Sequence, residues 1–142
     1  MKLLAVTIML SSVAYSPASQ ECKCGAPERD ATTRKGYSES VIVQPIKRYK
    51  KLSGVVSLSD TPIEGALVEL FPYSKDYSRK RLAACLTGAD GHYCFAGVRK
   101  GRYEIRVSKD GGWEITHVNV YVDPTNKRAS DAELGLPIEL GK

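Results

Sequence analysis

Four cysteines carry the most definite chemistry in this 142-residue sequence. Cys85 and Cys94 flank a Gly-Ala-Asp-Gly segment of the kind that forms a tight turn. If the segments on either side pair as an antiparallel hairpin, the two cysteines face each other directly. Opposed Cβ atoms at non-hydrogen-bonded positions lie within disulfide reach, so we predict a Cys85–Cys94 disulfide.

The other two cysteines, Cys22 and Cys24, lie one residue apart in a polar segment. They can bridge each other, pair with another chain or stay free. A Cys-x-Cys pair with a distant cysteine and histidine matches no common zinc pattern. The sequence therefore predicts no metal site and no cofactor.

No catalytic motif occurs in the sequence. Gly-x-Ser-x-Gly, His-Glu-x-x-His and phosphate-loop patterns are absent. His92 begins the second strand of the predicted hairpin and His117 falls at an outward strand position, so both are expected to be isolated surface residues. Asp90 lies beside a glycine but lacks the alternating acidic partners that a calcium loop needs. We expect a protein that is not an enzyme.

Aromatic side chains give the clearest indication of a binding site. Tyr73, Tyr77 and Trp113 fall in predicted loops, where aromatic faces can stack on sugar rings and exposed patches mark binding sites. The alternative is structural: Trp113 caps one end of the core, and the two tyrosines pack within their loop.

A basic cluster precedes the main predicted domain and consists of Lys47, Arg48, Lys50 and Lys51. It is either a contact for an anionic surface or a solvated segment that protects a strand edge. Without Lys2 the chain has 20 basic and 16 acidic side chains, a net charge of +4 against +5 for the full sequence. This excess is too small to indicate a nucleic-acid partner.

The elements that position these residues are short strands separated by turn residues, which is typical of a β-sandwich. Apolar residues alternate with polar ones most clearly over 102–108 and 116–122. We predict an all-β, seven-stranded immunoglobulin-like sandwich without a helix. Its strands are expected over 54–58, 66–71, 82–86, 92–95, 102–108, 116–122 and 136–140.

The amino-terminal part of the chain has a different character. Residues 1–19 combine a basic start, an apolar run over 3–10 and a small-residue exit, which predicts a signal peptide. The apolar run is far shorter than the roughly 20 residues of a membrane span. Residues 20–51 are predicted to be a mobile polar lead-in with a short edge strand near 41–43, and 52–142 the folded domain. An exported protein, periplasmic or secreted, is expected, which also suits a disulfide.

Four motifs carry a resemblance to a known family. They are Ser-Gly-Val-Val at 53–56, Pro-Ile-Glu-Gly-Ala-Leu-Val at 62–68, Ala-Asp-Gly-His-Tyr-Cys-Phe at 89–95 and Gly-Val-Arg-Lys-Gly-Arg-Tyr-Glu-Ile at 97–105. In order and spacing the segment resembles a carboxypeptidase regulatory-like domain. This is the transthyretin-like, or prealbumin-like, sandwich found in many exported bacterial proteins.

The resemblance implies a fold more strongly than a function. In this fold Gly65 and Gly91 are expected in tight turns that require a positive backbone φ. Tyr93 and Phe95 are expected in the core, with Cys94 facing outward. The enzymatic branch of the transthyretin-like fold, which hydrolyses 5-hydroxyisourate, ends in Tyr-Arg-Gly-Ser, whereas this chain ends in Leu-Gly-Lys.

Two functions therefore remain open. The first is a non-catalytic exported module that binds an unknown protein or an envelope surface through its sheet edges and loops. The alternative is a carbohydrate-binding module that uses the loop aromatics on an envelope glycan, since the fold is grouped with carbohydrate-binding-like sandwiches.

Overall fold

The computed structural model describes residue 22, the backbone of 39–42, and residues 47–74 and 80–141. The predicted signal peptide over 1–19 lies outside the described residues, as do Cys24 and Tyr77. Ten strands and no helix occur in the described part of the chain. They are β1 (Glu39–Ile42), β2 (Arg48–Tyr49), β3 (Leu52–Leu58), β4 (Thr61–Pro62), β5 (Leu67–Pro72), β6 (Ala83–Leu86), β7 (His92–Phe95), β8 (Gly101–Ser108), β9 (Ile115–Val122) and β10 (Leu136–Pro137).

The all-β prediction is confirmed, but the predicted number of strands was too low. Each of the seven predicted segments overlaps one observed strand, and β1 overlaps the short edge strand predicted near 41–43. The two strands that were not predicted, β2 and β4, are only two residues long, so they are too short to show an alternating pattern in the sequence.

The strands form two sheets that pack as a β-sandwich. The larger sheet has six strands in the order β1-β9-β8-β5-β6, and β2 pairs with β9 as well. The smaller sheet has the order β10-β3-β4, and β7 pairs with β3 as well. β5, β8 and β9 are the long antiparallel strands that form the centre of the larger sheet.

Alternation in the sequence decides which side chains fill the space between the sheets. In β9 the residues Thr116, Val118, Val120 and Val122 are all buried, as their spacing of two predicts. The core also draws side chains from β3, β5, β7, β8 and the carboxyl-terminal segment. Its largest members include Leu52, Val56, Val68, Leu70, Tyr93, Phe95, Ile105, Val107, Leu136 and Ile138.

Tyr93 connects β7 to the carboxyl-terminal segment at the centre of the core. Its side chain is fully buried, and its hydroxyl donates to the Leu134 carbonyl oxygen at 2.7 Å. Burial raises the pKa of Tyr93 well above its ordinary value, and it also raises the pKa of Tyr49. The phenol of Tyr93 therefore stays a neutral donor, which satisfies a carbonyl group that has no access to water.

Gly54 lies against the same carbonyl group. A Cβ atom at this position would overlap the backbone oxygen and carbon of Leu134. The Leu134 amide also donates to the Ser53 carbonyl oxygen at 2.9 Å, so the carboxyl-terminal segment is held directly on β3. Only a residue without a side chain permits this approach of two backbones.

Replacing Gly54 by alanine is expected to lower the free energy of unfolding by about 1–3 kcal/mol or more, because two backbone segments must separate. Gly135→Ala is the matched control, since a Cβ atom there meets nothing within 4 Å. We expect the control to change stability by less than about 0.5 kcal/mol. Urea unfolding curves of the two variants measure the difference. Equal midpoints would show that a side chain fits between Gly54 and the Leu134 backbone.

Positive φ at the two predicted glycines is confirmed. Gly65 and Gly91 both have φ of 72°. A Cβ atom on Gly91 would lie 2.7 Å from the Val56 carbonyl oxygen, so this turn is closed by close packing as well as by its backbone conformation. The prediction for β7 is also correct, since Tyr93 and Phe95 are buried while Cys94 is only partly buried.

The predicted Cys85–Cys94 disulfide is wrong, because the predicted hairpin does not exist. β6 pairs with β5, where Cys85 lies opposite Val68, whereas β7 pairs with β3, where Cys94 lies opposite Ser53. Cys94 is instead bonded to Cys22, with the two Cα atoms 5.3 Å apart. Cys85 is also in a disulfide, and its partner lies outside the described residues.

Three parts of the predicted mobile lead-in are attached to the sandwich. Cys22 is bonded to β7, and β1 and β2 pair in parallel with successive parts of β9. The Lys50 amide donates to the Ser130 carbonyl oxygen at 3.0 Å. β1 and β2 cover the edge of β9 on the side away from β8, which would otherwise have unpaired backbone groups.

A disulfide map of the unreduced protein tests this arrangement. Trypsin cuts after Lys23 and so separates Cys22 from Cys24, and an endoprotease that cuts before Asp90 separates Cys85 from Cys94. We expect one linked pair of peptides that joins Cys22 to Cys94. Because Cys24 is the only cysteine left for Cys85 within the chain, a second linked pair should join those two. A peptide pair that joins Cys85 to Cys94 would contradict the structure.

Candidate functional site

A cleft of about 490 Å³ opens where β6 and β7 separate. The two strands are joined by a tight turn in which the Gly91 amide donates to the Gly88 carbonyl oxygen at 2.9 Å. They then pair into different sheets, and residues at the far ends of both strands, Ala83 and Phe95 among them, line the cleft. The volume lies within the range of roughly 300–1,000 Å³ that is typical of ligand pockets.

Apolar side chains form most of the cleft surface. Leu70 and Phe95 belong to the core, and Val98 and Tyr103 pack against it. The Tyr103 hydroxyl donates to the Arg99 carbonyl oxygen at 2.7 Å, which leaves the ring as part of the wall. The Cys22–Cys94 disulfide forms another part of the lining. Such a surface suits an apolar group rather than a polar one.

Leu82 lies at the cleft and is unusually exposed. Its relative exposure is 57%, and Leu140 at 54% is the other large hydrophobic side chain of comparable exposure in the described residues. A single exposed leucine is ordinary on a protein surface. An exposed leucine on the wall of an apolar cleft instead adds contact area for a bound group.

The charged residues around the cleft are basic. Arg99 is exposed and is the one charged residue among the described residues that line the cleft. Lys80 is exposed two residues before Leu82, and Lys100 follows Arg99. The Lys100 ammonium lies 3.9 Å from the Asp123 carboxylate, so part of its charge is compensated within the protein. The exposed positive charge of Arg99 therefore attracts anionic groups in general.

Tyr73 and Trp113, the described members of the predicted aromatic site, are not brought together. The Tyr73 amide donates to the Arg102 carbonyl oxygen near the start of β8, whereas Trp113 follows the other end of that strand. An eight-residue strand spans about 23 Å, so the two rings cannot contact one sugar unit. The Arg102 guanidinium lies 3.8 Å from the centroid of the Tyr73 ring and covers one of its faces.

Trp113 packs against the core at the end of the sandwich near the carboxyl terminus. Its backbone forms an isolated antiparallel bridge with Leu140. The side chain is partly buried, which agrees with the alternative that it caps the core.

Trp113→Ala is expected to lower the free energy of unfolding by about 1–3 kcal/mol, less than the loss of a fully buried aromatic ring. Trp113→Phe, the control, should recover most of that loss. Thermal unfolding measures both, and a glycan array run with the three proteins should show no binding that depends on Trp113. A variant of unchanged stability that loses a glycan ligand would contradict this role.

The predicted basic cluster is divided between internal partners and solvent. The Arg48 guanidinium lies 5.3 Å from the centroid of the Tyr121 ring, and the Lys50 ammonium lies 3.2 Å from the Asp131 carboxylate. Lys47 and Lys51 are exposed. Arg48 and Lys50 therefore each have a partner side chain within the protein, but Arg48 is exposed as well, so three of the four residues of the cluster face solvent.

Each histidine is paired with a carboxylate. His117 Nδ1 lies 2.9 Å from a Glu104 carboxylate oxygen on the neighbouring strand, and His92 Nε2 lies 3.1 Å from one of Glu133. In the part of the chain that the structure describes, no three histidine, cysteine or acidic side chains are grouped so that they could hold a metal ion. The first pair joins β9 to β8 with both side chains largely shielded from solvent, whereas the second joins β7 to the carboxyl-terminal segment at the surface.

Sequence reasoning missed the cleft. Leu82 lies outside the recognised motifs, and Val98 and Arg99 belong to the 97–105 motif, which indicates only the fold. The proximity of the three residues depends on β6 and β7 lying in different sheets. The available indication was Leu82 itself, an apolar residue that directly follows Arg81 in a charged loop.

Comparison with known families gives one match. The model of the carboxypeptidase regulatory-like domain matches residues 51–135, which is more than half of the chain. No curated protein matches the sequence. Within the described residues, no helix has the length and apolar character that crossing a membrane requires.

Proposed function

The chain belongs to the carboxypeptidase regulatory-like domain family, a non-catalytic domain type in general, and on this premise we propose that it is an exported binding module that holds a partner polypeptide at the cleft between β6 and β7. The observation that carries the proposal is the apolar cleft with the exposed Leu82 on its wall. Burial of an exposed leucine on binding contributes about 1.5–3 kcal/mol.

Export is supported by two features of the chain. The pattern of residues 1–19 is that of a cleavable signal peptide, and the Cys22–Cys94 disulfide suits an oxidising compartment. The disulfide also lines the cleft, so the site in its described form belongs to the oxidised protein.

A polypeptide suits the site better than a glycan. Sugar-binding sites combine aromatic faces with several polar groups. The cleft has aromatic rings in Phe95 and Tyr103, but the Tyr103 hydroxyl is bonded to the Arg99 carbonyl oxygen and most of the other lining side chains are apolar. Of the aromatic residues predicted to stack on sugar rings, the described Tyr73 and Trp113 do not line the cleft, and Trp113 packs against the core.

Site-specific photo-crosslinking in cells that produce the protein tests the proposal. A benzophenone amino acid replaces Leu82 in one variant and Leu140 in the other, since these two side chains have nearly equal exposure. We expect the variant at 82 to form a discrete adduct with one polypeptide, identified by mass spectrometry of the crosslinked peptides. The variant at 140 should form none.

Two results would overturn the proposal. One is the absence of any polypeptide adduct at 82, and the other is the same set of adducts at both positions. A glycan adduct at position 82 would show that the ligand is a carbohydrate and not a polypeptide.

A further inference from the structure

The cleft combines two kinds of chemistry that a ligand must match at once. Its interior is apolar, with Leu70 only 3% exposed at the base and Phe95 only 7% exposed. Its one charged lining residue among those described is Arg99, which is exposed to solvent. A purely apolar ligand would leave the Arg99 guanidinium without an anionic partner from the ligand. A purely anionic ligand would leave the apolar wall in contact with water.

Arg99 is positioned by the backbone around it. Gly97 has φ of 65° and turns the chain directly after β7, so that Val98 packs against the core while Arg99 faces outward. The Arg99 carbonyl oxygen accepts the hydrogen bond from Tyr103, a wall residue of the cleft. The segment that carries the guanidinium is thus tied to the apolar wall.

The charges around the cleft determine the sign of the charge that we expect on the partner. In the described part of the chain no carboxylate lines the cleft, and Lys80 adds a second exposed positive charge close in sequence to Leu82. The nearby Arg81 lies 3.3 Å from the fully buried Glu69 carboxylate and is committed to it. The net charge of +4 that remains without Lys2 acts in the same direction.

We infer that the cleft recognises a polypeptide segment in which a bulky apolar side chain stands next to acidic residues. The apolar side chain enters between Leu70, Leu82 and Phe95, and a neighbouring carboxylate pairs with the Arg99 guanidinium. This inference rests on the proposed function and adds the chemical class of the partner. Apolar contact supplies most of the affinity, and the charge supplies selectivity, because an exposed ion pair contributes little to affinity.

Three capped peptides and the oxidised full chain test the inference by fluorescence anisotropy. The first is Glu-Asp-Thr-Phe-Thr-Asp-Glu, the second has alanine in place of phenylalanine, and the third has lysine in place of every acidic residue. We expect saturable binding of the first peptide below about 1 mM. The second should bind at least about tenfold more weakly, as loss of a buried aromatic side chain implies.

Charge reversal on the protein tests the role of Arg99. Arg99→Glu should invert the preference between the acidic and the lysine peptide, with a change of at least about fivefold in the ratio of their dissociation constants. Arg128→Glu is the control, because Arg128 is exposed, lies outside the cleft and changes the net charge equally. Leu82→Asp should abolish binding, whereas Leu140→Asp should leave it within about twofold of the parent protein.

The inference is wrong if the acidic peptide does not bind, if phenylalanine and alanine peptides bind equally, or if the two arginine variants change the ratio equally. These failures are distinct from failure of the proposed function. A polypeptide adduct at position 82 combined with no preference for acidic peptides would keep the function and reject this partner class.

Discussion

The step from β6 to β7 carries the chain from one sheet to the other, and most other features of the molecule depend on it. Because the two strands pair with β5 and β3 and not with each other, the sandwich has a seam at this edge. The turn at Gly91 closes one end of the seam, where its close packing against Val56 leaves no room for a side chain. At the other end the strands diverge, and the cleft is the space between them.

The sandwich is completed by residues beyond the matched family segment of 51–135. On the amino-terminal side, β1 and β2 cover the edge of β9, and Tyr49 joins the core. On the carboxyl-terminal side, β10 pairs in parallel with β3, and Ile138 fills the core beyond it. The carboxyl-terminal addition begins next to Leu134, whose backbone contacts Gly54. The family segment thus forms the larger part of the fold, and both flanks add strands at sheet edges.

The sequence allowed local features to be predicted but not the partners of each strand. The spacing of two between Val118, Val120 and Val122 decides which side faces the core, whichever strand lies beside it. The pairing of Cys94 depends instead on which sheet receives β7, and a turn motif such as Gly-Ala-Asp-Gly serves both a hairpin and a crossing between sheets. The cleft could not be predicted for the same reason, because Leu82 and Arg99 come to line the same cleft only through that crossing. Trp113 shows a further limit, since a loop position does not tell whether a ring packs inward.

The covalent bond between Cys22 and Cys94 also determines how the molecule responds to mechanical load. The bond closes a loop with a sequence separation of 72 residues, and that loop contains β1 to β6. A force applied at the amino end therefore passes from Cys22 through the two sulfur atoms into β7, and the chain between the two cysteines cannot be extended while the bond is intact. About 250 Å of chain is withheld from extension in this way. A partner held at the cleft would sit beside the load path, on the part of the sandwich that tension reaches first.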